Sequence, residues 1–423
     1  MNVVPEASTS RRARRLRRWS ASGRMTPLLI GILCISLALV SYWHFRGQFH
    51  VIKEKVGVVD TPDDVPHTNG PGGQDAVVLT RAKDDSTDGP QFLSATLLPG
   101  RGFNLWQLTA DIPGHGTVPL LVSPSVADAR TLLAGTGTDA NGSGSTSFGG
   151  AFLAPFAAPV TGSPATGTGS LQTQWQSQSL GFPSASLGSL FSTEGLILAR
   201  GADSVKLSKT QASTSATAVF HAGTFGGGWP SLTDMSITVD MSANSLELTM
   251  TARNIGTDVE PFALGWHPYF AIPFGDRSDA SLVIPSNDHI VTDPHTGQPS
   301  GAIDSSDSAP NTFDRANGTR LGDLSLDATY LDLNSSILAD GPIAELRVPA
   351  GGYGIRVIPL TTNIKTLHVI APSDKNWVSI MPNMNVPDPL GHEWDKLNTT
   401  GMVLLQPGDS VVWKVRVELF PLH

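Results

Sequence analysis

SLELTMTAR, residues 245–253, sets Leu246, Leu248, Met250 and Ala252 at every second position, with Glu247, Thr249, Thr251 and Arg253 between them. Strict alternation puts one face of a strand on a core and the other in water. SITVDM (236–241) precedes it across Ser242, Ala243 and Asn244, which predicts a hairpin. The period returns at the carboxyl end, where Val411, Trp413, Val415, Val417 and Leu419 alternate with Val412, Lys414, Arg416 and Glu418. From Gln91 onward the chain is short apolar runs broken by Gly, Pro, Ser and Asn, without a βαβ rhythm or a fixed-period repeat. The expectation is an all-β fold, a large antiparallel sandwich over residues 91–423.

The amino end reads differently. Arg11, Arg12, Arg14, Arg15, Arg17, Arg18 and Arg24 precede MTPLLIGILCISLALVSYWHF, the uncharged residues 25–45. An apolar span of about 20 residues matches the hydrocarbon core of a bilayer. The arginines favour a cytoplasmic flank, and Tyr42 and Trp43 suit the opposite interface. Residues 1–24 are therefore expected to be a basic cytoplasmic segment, 25–45 a transmembrane signal-anchor and 46–90 a polar linker. A cleaved signal peptide is the competing reading, although no Ala-x-Ala site follows the run. Both readings place the large domain outside the cytoplasm, periplasmic or extracellular. The linker stretch AVVLTR (76–81) has the character of a short edge strand.

Composition narrows the function. The 423 residues hold 28 Lys and Arg against 37 Asp and Glu, a net charge of −9. Eight arginines and one glutamate lie in residues 1–46, so the remainder carries −16, which opposes binding to nucleic acids or other polyanions. The single Cys34 lies inside the apolar run, excluding an internal disulfide and a cysteine-based metal or redox site. No phosphate-binding G-x-x-x-x-G-K-[ST] occurs, no G-x-S-x-G elbow, and HEWDK at His392 lacks the second histidine of H-E-x-x-H.

The informative segment is PFALGWHPYFAIP, residues 261–273. Trp266, Tyr269 and Phe270 offer flat apolar surfaces suited to stacking on sugar rings, and His267 among them can give a proton to a ring oxygen. A structural histidine bonded to a backbone carbonyl is the alternative from spacing alone.

LGWHPYF resembles the histidine motif of the aldose 1-epimerase (galactose mutarotase) family. In the family's order, ATLLPGRGFNLWQL, FGGAFLAPFAAPVTG, VIPSNDHIVTDPHTGQPSG, SLDATYLDL and LLQPGDSVVWKVRVEL are similar to further family segments, together spanning most of residues 91–421. The resemblance implies a galactose mutarotase-like β-supersandwich and interconversion of α and β anomers of an aldose. No cofactor or metal is implied. His267 matches the family's general acid, and Asp327 the carboxylate that binds sugar hydroxyls.

Three positions depart. The family's basic glutamate aligns with Met381 in VSIMPNMNVPDPLG, and a thioether accepts no proton at neutral pH. The arginine of P-F-A-N-R-I falls at Pro159, and the second histidine, of an H-G segment, near Leu187. Asp388 and Glu393, with Asp395, are candidate substitute bases from the same loop; as surface carboxylates of an acidic domain they have a plain alternative. The implied function is an aldose 1-epimerase-like isomerase, either fully active or impaired by Met381 at the base. A membrane-anchored sugar binder without chemistry is the alternative, and a polysaccharide lyase or hydrolase on a similar sandwich is disfavoured by the negative charge.

Overall fold

The structure, a computed structural model, describes residues 68–136, 139–165, 170–186, 188–306, 313, 317–335, 339–394 and 399–422. The chain divides into two units, Met1–Asp60 and Thr61–His423; the first, and with it the expected signal-anchor at 25–45, lies outside the described residues. Among the described residues no helix is long and apolar enough to cross a membrane.

The alternating segments form strands as expected. Thr233–Met241 and Ser245–Asn254 pair antiparallel, with Met241 opposite Leu246, and Ser410–Pro421 adds on the other side with Val417 opposite Leu246. They are the centre of a nine-stranded sheet. Leu246, Leu248, Met250, Ala252, Trp413, Val415 and Val417 are all fully buried, whereas Val412 on the other face is exposed. The sheet forms here because one face per strand removes a continuous row of apolar side chains from water.

A six-stranded sheet holds Gln91–Leu98 and Asn104–Ile112 and runs by way of Gly150–Leu153 to Gly265–Pro268. Its edge is Val77–Thr80, from the stretch AVVLTR, paired with Gln91–Leu98 and thus continuous with the sheet that follows residue 91. A second six-stranded sheet contains Trp377–Asn383, Thr366–Ala371, Leu326–Leu331 and Asp288–Thr292 as successive neighbours. One apolar cluster draws side chains from all three sheets. The single α-helix among the described residues, Val126–Leu132, is short and capped by Ser125, whose hydroxyl accepts from Asp128 N at 3.1 Å. The expectation of an all-β antiparallel sandwich is met.

Two indole hydrogen bonds brace the strands where the site forms, the first between sheets and the second within one sheet. Trp413 Nε1 donates to Pro382 O at 3.0 Å, joining the carboxyl-terminal strand to Trp377–Asn383. Trp266 Nε1 donates to Gly150 O at 3.0 Å, across the pairing of Gly150–Leu153 with Gly265–Pro268. The indole lies so close that a Cβ on residue 150 would sit 2.6 Å from Nε1. Gly150→Ala should therefore lower the unfolding free energy by about 1–3 kcal/mol through overpacking. An unchanged denaturant midpoint would show that the indole moves aside freely.

Candidate active site

The second six-stranded sheet carries two different faces. Leu326, Ala328, Tyr330, Leu367, Val369, Val378 and Ile380 point into the core. The intervening residues Asp327, Thr329, Thr366, His368, Ile370, Met381 and Asn383 line a cavity of about 410 Å³. The register places His368 opposite both Thr329 and Met381, and Asp327 opposite Ile370. Such a volume lies within the range of small-molecule sites.

The facing wall is built from chain segments distant in sequence. Ala157, Ala158 and Pro159 are held there by two asparagines: Asn383 Nδ2 donates to Ala157 O at 2.7 Å, and Ala157 N donates to Asn385 Oδ1 at 2.9 Å. Phe191 and Glu194 complete the wall. Gly195 fixes the position of Glu194: its φ is +92°, and a Cβ there would lie 2.8 Å from Ala154 O. Only glycine accommodates both constraints.

Glu194 is the centre of the site. His267 Nδ1 lies 2.7 Å from Glu194 Oε2, and the ionised carboxylate, an acceptor only, makes Nδ1–H the donor. The His267 ring stacks on Tyr269 with centroids 4.8 Å apart, and Tyr269 OH donates to Thr146 O at 2.7 Å. Burial pushes the Glu194 carboxyl up, but the charge and hydrogen bond of His267, joined by the charge of His368, outweigh it. The carboxyl is thereby held below its ordinary value, despite a smaller upward push from Asp327. Its side chain is 20% exposed.

A second histidine–carboxylate pair stands on the sheet. His368 Nε2 is 3.3 Å from Asp327 Oδ1, and His368 Nδ1 is 2.8 Å from Thr329 Oγ1. The hydrogen bond from His368 holds the Asp327 carboxyl below its usual range against the opposing effect of burial, with the charges of His368 and His267 adding to it. The Asp327 side chain is 78% exposed, at the cavity rim.

The other expected site residues are placed as follows. His267 is buried and is not among the cavity-lining residues; its Nε2 is buried without a hydrogen-bond partner. Trp266, Tyr269 and Phe270 do not line the cavity either, contrary to the expected aromatic platform. Strand alternation sends Trp266 to the face opposite His267, where it packs edge-on against Phe270 in the core. Tyr269 is spent on stacking against His267.

Asp388 does line the cavity, but both carboxylate oxygens are engaged: Oδ1 accepts from Thr161 N at 2.9 Å and Oδ2 from the Thr161 hydroxyl. It clamps two loops. Glu393 is not a lining residue, and burial, reinforced by the Asp388 charge, pushes its carboxyl up. Asp395 and Leu187 lie outside the described residues. Pro159 and Met381 line the cavity, with no guanidinium at the first and a thioether only 1% exposed at the second. Among the described residues no group of three or more His, Cys, Asp and Glu is arranged to hold a metal ion.

Sequence reasoning missed Glu194 and His368. TLHVIA alternates a histidine with Leu367 and Val369, and that single polar position on a core strand was its available signal. Glu194, in the loop FSTEGL, offers no local pattern.

The sequence model of the family described as aldose 1-epimerase matches residues 203–418, about half of the 423 residues. The chain belongs to the aldose 1-epimerase family. A galactose mutarotase-like protein from Clostridium acetobutylicum superposes with a TM-score of 0.61 at 15% identity, over 82% of this chain and 99% of that one. A galactose 1-epimerase from Lactobacillus acidophilus NCFM gives 0.56 at 15% identity, over 82% and 99%. A galactose mutarotase-like protein from Lactobacillus casei gives 0.54 at 16%, over 81% and 100%. At these identities the superpositions establish the fold. No curated protein matches the chain by sequence. Within the aldose 1-epimerase fold, the cavity described above opens on the sheet that carries the aspartate segment SLDATYLDL and the Met381 segment.

Proposed function

We propose that the folded unit is a carbohydrate isomerase of the aldose 1-epimerase type, interconverting α and β anomers of an aldose. The observation that carries this reading is that one cavity is lined by Glu194, which is held from behind by His267, and by the pair His368–Asp327. Anomer interconversion needs one group to take the proton of the anomeric hydroxyl and another to protonate the ring oxygen. The C1–O5 bond then breaks as the C1 carbonyl forms. Rotation at C1 and the reverse proton transfers close the ring on its other face. Positioned acid and base groups typically contribute about 10²–10⁴-fold to such a step. Asp327, ionised and exposed at the rim, is suited to accept hydrogen bonds from sugar hydroxyls.

Polarimetry with a panel of aldoses tests the reading: the purified protein should bring a fresh anomer to equilibrium faster than buffer does. A panel showing no acceleration defeats it. One observation favours a second reading, a sugar binder without chemistry: Met381 fills the family's base position and is buried. On that reading aldoses bind, as followed by calorimetry, while the rate stays at that of buffer.

We also propose that residues 25–45 anchor the chain with its β domain outside the cytoplasm. Protease added to intact cells should then remove the carboxyl-terminal domain and spare an amino-terminal tag. A tag cleaved equally from outside would refute the orientation, and a mature chain beginning after the apolar run would refute the anchor.

A further inference from the structure

We propose that Glu194 is the proton acceptor of this site, taking over the task that Met381 cannot perform, with His368 as the proton donor and His267 as a positioning residue that holds Glu194. This rests on the isomerase reading and deepens it by naming the groups that move the protons. Four carboxylates line the cavity, and three are unsuited to the task. Asp388 has both oxygens bound to Thr161. Asp293 accepts the backbone N–H groups of His295 and Thr296 at 2.7 and 3.0 Å and is half exposed. Asp327 is largely in solvent and is bonded to His368.

Glu194 combines the remaining properties. One of its oxygens is fixed by His267, the side chain lines the cavity, and it is mostly shielded from bulk water. The ionisable groups that act on it come from three elements: His267 on Gly265–Pro268, His368 on Thr366–Ala371 and Asp327 on Leu326–Leu331. Burial, with a smaller contribution from the Glu194 charge, pushes the Tyr269 hydroxyl up. The net effect favours the carboxylate, the form that accepts a proton.

His368 lines the same cavity from the sheet, directly across the strand pair from Met381. The donor thus stands on the strand beside the position that lacks the base, and the acceptor comes from the loop that faces it. His267 has Nδ1 committed to Glu194 and Nε2 buried, and its cross-strand partner Ala151 packs in one apolar cluster with Met381. His368 has Nδ1 on Thr329 Oγ1 and Nε2 3.3 Å from Asp327 Oδ1, so its donation to O5 requires the Nε2–H to pass from Asp327 to the ring oxygen. In the reaction Glu194 takes the O1 proton, and the O–H electron pair forms the C1 carbonyl while the C1–O5 bond breaks. Protonated His368 gives its proton to O5. Closure on the other face returns the O5 proton to His368 and the Glu194 proton to O1, so both groups are regenerated.

The test compares anomer exchange and aldose affinity in the full chain and its variants. E194Q, which keeps size and hydrogen bonding, should lose about 10²–10⁴-fold of the catalysed rate, with affinity changed little. H368Q should behave likewise. H267N should retain turnover, but with the acidic limb of its pH–rate profile moved upward, because His267 lowers the Glu194 pKa. In the E194Q background, M381E should restore part of the rate. An E194Q protein that binds sugar and keeps the wild-type rate overturns the assignment of Glu194. An H267N protein that binds sugar but does not turn over makes His267 the donor, and overturns its positioning role. If the wild type itself does not exceed the buffer rate, the isomerase reading falls and this assignment falls with it.

Discussion

Replacing Asp139 by alanine should lower the unfolding free energy by about 3–5 kcal/mol, the cost of leaving one buried charge without its partner. Arg101 is 2% exposed, and its Nη2 is hydrogen-bonded to Asp139 Oδ2 in a short ion pair. Burial lowers the guanidinium's pKa, and the Asp139 charge and hydrogen bond oppose that effect. The same carboxylate accepts Gly135 N at 2.9 Å and Gly144 N at 3.0 Å, so its removal also strands two backbone donors. Denaturant unfolding of D139A should show a large fall in midpoint. Removing both charges in R101M/D139A should recover a substantial part of the loss, because no unpaired charge remains. Equal stability of D139A and wild type would mean that water reaches Arg101 freely.

Glu260 should make the fold less stable as pH rises. It is fully buried on the strand Glu260–Phe262, and the Thr233 hydroxyl lies 2.9 and 3.1 Å from its two oxygens. The Trp229 N–H is nearby but outside hydrogen-bond geometry. Burial pushes the carboxyl up from 4.5 to about 7, against the smaller opposing effects of Thr233 and Trp229. Between these values the folded state keeps a proton that the unfolded chain releases. The stabilisation is therefore fully present below pH 4.5, is lost as pH rises to about 7, and stays lost above it. The shift corresponds to about 3 kcal/mol. Glu260→Gln, neutral throughout and still able to accept from Thr233, should flatten this slope and exceed wild type in stability at pH 8. Parallel pH–stability curves for the two proteins would rule out a titrating Glu260.

The His267–Glu194 pair shows where sequence reading stops. The partners are 73 residues apart, and the Thr161–Asp388 clamp joins residues 227 apart. Contacts of that separation leave no periodic trace in the chain. PFALGWHPYFAIP drew attention to the right strand, but spacing alone did not say which aromatic rings shared a face with His267. Neighbouring segments settled that: Gly150 receives Trp266 into the core, and Tyr269 turns back over His267.

The alternation in SLELTMTAR and in the carboxyl-terminal strand determined by itself that these residues are half-buried strands, and the three-residue gap before residue 245 determined the hairpin. Ordered motifs were sufficient for the family, and two residues they singled out, Asp327 and Met381, are lining residues of the cavity in the structure. These features are local, set by a strand's two-residue period and by the short turns between strands. Tertiary structure alone decided that Asp388 is tied to Thr161, that Trp266 and Phe270 belong to the core, and that Glu194 and His368 reach one cavity. Those outcomes depend on the register between strands and on the path of a loop fixed at Gly195. A one-residue slip in register would turn each of the strand side chains to the other face, so the chemistry of the site exists only once the sheets have packed.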